Sequence, residues 1–165
     1  MNDTHQASNQ EQVLRQMIEQ DYASLWTKTA KNPLDMAQAT EVYLTTKELV
    51  VIDPDLGMAD PGAPSRAVSY ETIFPLWSRM WEFVEEGGIT SVFNINIHLY
   101  SEQAFAAFDA TGEMKFKNGE QVSLFRNVTQ WWVYTSAGWR IRYEHVSEGK
   151  PAGEGQVKTS PENVV

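Results

Sequence analysis

The chain contains no cysteine, which excludes disulfide staples and thiolate chemistry and agrees with a reducing compartment. Histidine is scarce too: His5, His98 and His145 lie far apart and form no recognisable ligand spacing, so no metal site is expected. No glycine-rich dinucleotide or phosphate loop occurs, and no nucleotide or other cofactor is expected. Basic residues are few, 13 Lys and Arg against 22 Asp and Glu, giving a net charge of −9. That balance speaks against nucleic-acid phosphates or an anionic membrane as partners, because counterion release needs a basic surface. No stretch approaches the run of about 20 apolar residues that spans a bilayer, and the residues after Met1 are polar rather than a secretory core. A cytoplasmic protein is the expectation.

What is present is apolar and aromatic: 42% hydrophobic residues and 12% aromatics across 165 residues, enough for one domain with a sizeable core. We place that domain at residues 9–148, between tails at 1–8 and 149–165 whose composition predicts disorder. Ser8-Asn9-Gln10-Glu11 offers a capping box, and Val13, Leu14, Met17, Ile18, Tyr22, Leu25 and Trp26 follow at helical spacing. Asn32-Pro33 reads as the start of a second helix to about Ala39. Leu49–Asp53 predicts a short strand, and the proline- and glycine-rich segment to Ser69 a loop. A third apolar stripe, Ile73 to Val84, predicts a helix closed by Gly87-Gly88, with Pro75 in its first turn or at a kink. Strands are predicted at Ile89–Tyr100 and Ala104–Glu113, with a hairpin end at 114–118.

The strongest signal lies in Gly119–Ser147, where two runs of aromatic and β-branched residues flank Thr135-Ser136-Ala137-Gly138. Pairing Tyr134 with Trp139 places Arg126, Val128, Gln130, Trp132 and Tyr134 beside Trp139, Ile141, Tyr143, His145 and Ser147 on one face. That face begins apolar and ends polar, as the lining of a pocket does. Helices followed by consecutive strands predict an α+β fold: a curved antiparallel sheet wrapped by three N-terminal helices into a cone. The opposite face carries Thr129, Trp131 and Val133 beside Arg140 and Arg142, too apolar for solvent, which predicts a homodimer or higher homo-oligomer through the convex sheet face.

Thr129-Gln-Trp-Trp, Gly138-Trp139-Arg-Ile and Tyr143-Glu-His145-Val-Ser147 together resemble the Thr-Arg-Val-Trp, Gly-Lys-Trp and His-x-His-x-Ser signature of the hub domains of calcium/calmodulin-dependent protein kinases. Ile97-His98-Leu99-Tyr100-Ser-Glu-Gln-Ala104 resembles the hub's Ile-His-Val-x-Gly-Glu-Asp-Ala, and Leu76-Trp77-Ser78-Arg79 occurs in its third helix. The chain is similar also to SnoaL-like proteins, within the nuclear transport factor 2-like superfamily. The resemblance implies a cone with a mouth, and a superfamily that hosts enzymes and assembly modules alike.

Asp53, in Val51-Ile52-Asp53-Pro54, matches the Val-x-Asp-Pro segment that carries the general base in steroid isomerases of this superfamily. A carboxylate at the rim of an apolar cavity loses hydration and becomes a useful base near neutrality; a turn-forming Asp before Pro is the plainer reading. The isomerases' second acid has no counterpart, since Asn127, Val128, Thr129 and Gln130 stand in that region. His145, beside Tyr143, Ser147 and Arg126, is the second candidate, a proton shuttle or a structural histidine. Arg126 is a candidate anion holder, while Gln130 stands where the hubs have arginine. Tyr22, Trp26, Trp77, Trp81 and Trp132 complete the expected wall around a hydrophobic, aromatic ligand. The expected function is a cofactor-independent acid–base enzyme, a lyase, dehydratase or isomerase; the competing expectation is a ligand-binding or assembly module like the kinase hub.

Overall fold

In the computed structural model, which describes residues 3–59, 62 and 64–149, the first helix sets the position of one cavity wall. Helix α1, Asp3–Gln16, continues without a break into a π-helical turn, Met17–Tyr22, and the short α2, Ala23–Leu25. An α-helix advances about 100° per residue, so a four-residue spacing drifts by about 40° at each step. The wider π turn takes up that drift and keeps Leu14, Ile18, Tyr22 and Trp26 buried on one side. Val13, expected in the core, is 46% exposed. The helix also starts at Asp3, so Ser8 is not its cap. Of the tails expected to be disordered, residues 1–2 and 150–165 lie outside the described residues.

Strand β1, Thr27–Lys28, and helix α3, Met36–Thr40, follow. The cap of α3 is Asp35, not Asn32: its Oδ1 accepts from the Ala37 and Gln38 amides at 3.0 and 3.2 Å. Strand β2, Val50–Ile52, stands where a strand is expected, but the segment after it is more than a loop. It holds α4, Leu56–Ala59, and β3, Arg66–Val68. Helix α5, Tyr70–Phe83, buries Ile73, Trp77, Met80 and Trp81; Pro75 lies inside it, past the first turn.

Gly87 and Gly88 do not end α5. They belong to β4, Val84–Tyr100, which begins as soon as the helix stops. Both have positive φ, and a Cβ at Gly88 would collide with the carbonyl of Trp26, where β1 is laid against β4. Strands β5, Gln103–Phe116, β6, Gln121–Thr135, and β7, Gly138–Glu148, complete a sheet of order β1-β4-β5-β6-β7-β2-β3. Among the described strands all pairings are antiparallel except that of β2 with β7, which the isolated parallel bridge of Tyr43 with Ile141 extends. Residues Met114–Phe116 are strand, not hairpin end.

The fold is therefore α+β, a curved, mostly antiparallel sheet packed on the N-terminal helical region. On β5 the inner face is Ala104, Ala106, Phe108, Ala110 and Met114, and on β6 it is Leu124, Arg126, Val128, Gln130 and Trp132. The short alanines leave depth beneath the helices. No helix among the described residues is long and apolar enough to cross a membrane.

Candidate active site

The inner face of β7 decides what the cavity contains. Tyr134 pairs with Trp139 across the turn and Trp132 with Ile141, as the spacing predicts. Between them and the next pair, Trp131 with Tyr143, β7 carries one extra residue, Arg142. Such a bulge reverses the alternation beyond it. Glu144 and Val146 are consequently buried on the inner face, while Tyr143, His145 and Ser147 sit on the other and are partly exposed. His145 pairs across the ladder with Thr129 and does not line the cavity. The expected Asp53–His145 pair is not formed, and Tyr143 and Ser147 leave the expected wall for the same reason.

The cavity lies between α5, the π turn and the inner face of the sheet. Tyr22, Trp26, Trp77 and Trp81 line it, as do Asp53 and Arg126. Gln130 and Trp132 are fully buried behind the lining, not in it. The tryptophans form one cluster: Trp26 meets Trp77 edge to face at 5.1 Å and stacks near-parallel on Trp81 at 6.2 Å. The indole N–H groups of Trp26 and Trp81 have no hydrogen-bond partner among the described residues. The free volume, about 60 Å³, holds several waters or a small ligand.

Asp53 ends β2. The parallel pairing of Val51 with Glu144 and of Ile52 with His145 brings that end of β2 alongside the polar part of β7. Val51 and Asp53 share the inner face, and Asp53 is 8% exposed. Its Oδ1 accepts the Asp55 amide at 2.9 Å, so the turn-forming role is real. Its Oδ2 accepts the Trp77 indole N–H at 3.4 Å. No cation among the described residues forms an ion pair with it. Burial, then the negative charge of Asp55, push its carboxyl from 3.8 up to about 7; the Asp55 amide and the Trp77 indole act against them, and Glu144 adds to the rise.

Two cavity carboxyls were absent from the expected set. Asp55 is held by Arg126 in a two-pronged ion pair, Nη2 to Oδ1 at 2.7 Å and Nε to Oδ2 at 3.0 Å. Burial alone lowers the Arg126 guanidinium, but the bonds and charge of Asp55 more than offset this and raise it. The anion-holding arginine is thus occupied by its own chain. Glu144 accepts from Tyr43 at 2.9 Å, Tyr22 at 3.1 Å and Gln130 at 2.6 Å, and the other end of the Gln130 amide accepts from Trp132 at 3.0 Å. Burial raises Glu144 above the ordinary carboxyl value against those three donors, and burial raises both tyrosines well above theirs, so the hydroxyls remain protonated donors. Asp53-Pro-Asp55 hinted at Asp55 through its Asx-turn chemistry. Nothing in Tyr143-Glu144-His145 marks the bulge that turns the glutamate inward.

No family model matches the chain, and no curated protein matches it. Solved structures do. A candidate scytalone dehydratase from Novosphingobium aromaticivorans aligns with TM-score 0.65 at 14% identity, covering 91% of this chain and 89% of that one. A nuclear transport factor 2-like superfamily protein from Salmonella enterica aligns with TM-score 0.60 at 20% identity over 74% and 82%. A type 2 hexachlorocyclohexane dehydrochlorinase aligns with TM-score 0.55 at 8% identity over 70% and 73%. At these identities the superpositions show a shared fold alone.

Proposed function

Starting from the nuclear transport factor 2-like fold of this chain, we propose that it is a cofactor-independent acid–base enzyme in which Asp53 removes a proton from a small, largely apolar molecule bound in the cavity. The observation that carries this reading is Asp53 itself: a buried carboxyl on the cavity wall, bonded to no cation among the described residues and poised near neutrality. A base at about 7 is substantially ionised at neutral pH and still basic enough to accept a proton. Arg126 and Asp55 neutralise each other beside it, and the tyrosines and Gln130 fix Glu144 as a second carboxyl facing the same space.

The reaction class is elimination or isomerisation. Asp53 takes a proton from carbon, the C–H electron pair becomes a double bond, and either a neighbouring leaving group departs with its electrons or the proton returns elsewhere. No electron acceptor is required. The candidate dehydratase and the dehydrochlorinase with this architecture carry elimination in their names, which supports the first alternative. His145 has no part in it.

The test is a titration of the Asp53 carboxyl carbon by NMR in the folded protein, together with hydrogen exchange of a panel of small carbon acids in D₂O. The expected midpoint is near 7, with exchange lowered roughly 10²–10⁴-fold in Asp53→Asn. A midpoint near the ordinary 3.8, or an Asn variant as active as the parent, returns the chain to the class of non-catalytic binding or assembly modules.

A further inference from the structure

The reading above leaves open what the polar part of the ligand is, and the charge inventory of the cavity bears on it. Its lining contains three carboxyl groups, Asp53, Asp55 and Glu144, and one cationic side chain, Arg126. Arg126 spends Nε and Nη2 on Asp55 and Nη1 on the Phe125 carbonyl at 3.1 Å, so it offers an incoming anion little. Among the described residues Asp53 and Glu144 receive hydrogen bonds from neutral donors only, and Arg126 reaches Asp53 by charge without a bond to it. Lining the same small space are three tryptophans, Trp77 beside Asp53 and Trp26 and Trp81 packed in one cluster with it, the side chains whose ring faces attract cations best. Carboxylates that lack a counter-ion, set among aromatic faces, form a receptor for a desolvated organic cation.

Resting on the reading of this cavity as the working site, we propose that its ligand is a small organic cation, an ammonium or quaternary ammonium seated between Asp53, Glu144 and the walls of Trp26, Trp77 and Trp81. Among the described residues no three His, Cys, Asp or Glu side chains are grouped as metal ligands. The apolar lining suits alkyl groups on nitrogen. The net charge of −9 favours a cation's approach.

The proposal carries a sign. Asp53 is faced by Asp55 from its own loop, by Glu144 from β7, by Tyr22 from the π turn, by Tyr43 from the segment before β2, by Trp77 from α5, and by the charge of Arg126 of β6, which is bonded to Asp55 but acts on Asp53 directly. The negative members hold its proton on; a bound cation favours the ionised form and expels that proton. Affinity for the cation therefore rises with pH through the titration of Asp53, whereas affinity for a neutral ligand of the same shape does not.

Three water-soluble probes of similar shape separate the cases: tetramethylammonium, tert-butanol and pivalate, each titrated into the full-length protein and followed by the indole N–H signals of Trp26, Trp77 and Trp81. The comparison is made at about pH 8 and about pH 5.5, either side of the Asp53 transition. The expected order at the higher pH is cation, alcohol, anion, with the cation bound roughly tenfold more tightly than the alcohol. That preference should fall about fivefold or more at the lower pH and lose its pH dependence in Asp53→Asn. Alcohol or pivalate binding as tightly as the cation, a cation preference indifferent to pH, or no saturable binding of the cation overturns the proposal. Because the carboxyl titration is measured without ligand, an Asp53 midpoint near 7 with no cation preference sinks only this inference. A cation preference with no carbon-acid exchange sinks only the enzymatic reading.

Discussion

Asp53 is held where its ionisation costs stability, and the sign follows from its two environments. In the unfolded chain its carboxyl titrates near 3.8 and in the folded one at about 7, so the folded state is favoured most below the lower value and loses that advantage as pH rises through the higher. At about 1.4 kcal/mol per tenfold change in the ionisation constant, the difference amounts to ~4 kcal/mol above neutrality. Glu144, also raised, adds in the same direction. Asp53→Asn should therefore melt at a higher temperature than the parent at about pH 8, with the gap closing toward about pH 4, as scanning calorimetry would register. An Asn variant less stable at both ends means the Trp77 and Asp55 bonds matter more than the desolvated charge. Arg126→Met has the opposite outcome: it strands Asp55 in a cavity wall without its cation and should lower stability by roughly 3–5 kcal/mol in denaturant titration. A loss below about 1 kcal/mol would show that water already screens the pair.

At the level of elements, the junction of β1, β4 and β5 is the tightest point. Gly88 has φ +142, and a side chain there would meet the Trp26 carbonyl; a side chain at Gly112 of β5, which pairs with Ile89, would meet the Gly88 carbonyl. Gly88→Ala should cost roughly 1–3 kcal/mol from backbone strain alone, with a further loss as β1 lifts from β4. Protection of the Ile89 amide, which bonds the Trp26 carbonyl at 3.3 Å, from hydrogen exchange is the local readout. Unchanged protection would mean that β1 stays on β4 and the added methyl is accommodated there.

The same elements show what the sequence made legible. Period two on β5 and β6, the two-residue turn at Ser136-Ala137 and the apolar stripe of α5 follow from local chemistry, and all are present. Asp53 sits at a strand end before proline, where both the local signal and the resemblance pointed. Gly87-Gly88 misled because glycine pairs commonly stop helices, whereas here they admit a close backbone approach. His145 misled because strict alternation carried past Arg142 gives the wrong face. Asp55 and Glu144 take their surroundings from elements distant in sequence, Asp55 from Arg126 of β6 and Glu144 from Tyr22 of the π turn and Tyr43 after α3, so no local pattern marks them.

For the whole molecule, the outer face of the sheet is the remaining surface of consequence. Phe105 pairs with Trp131 and Trp131 with Tyr143, giving an aromatic row across three strands in which Phe105 is 39% and Trp131 48% exposed. A second copy of this chain, related by a twofold axis, would bury that row against itself. Sedimentation should give twice the chain mass of 18.7 kDa, and Trp131→Glu should reduce it to one chain without altering the circular dichroism spectrum. A parent protein that sediments as a single chain ends that proposal. The extra residue in β7 reaches further than stability or assembly. Were the strand to run regularly through Arg142, imidazole would replace carboxylate on the chamber wall, while hairpin turn and strand order stayed as they are. The phase of a single strand thus decides which reagent the same core presents.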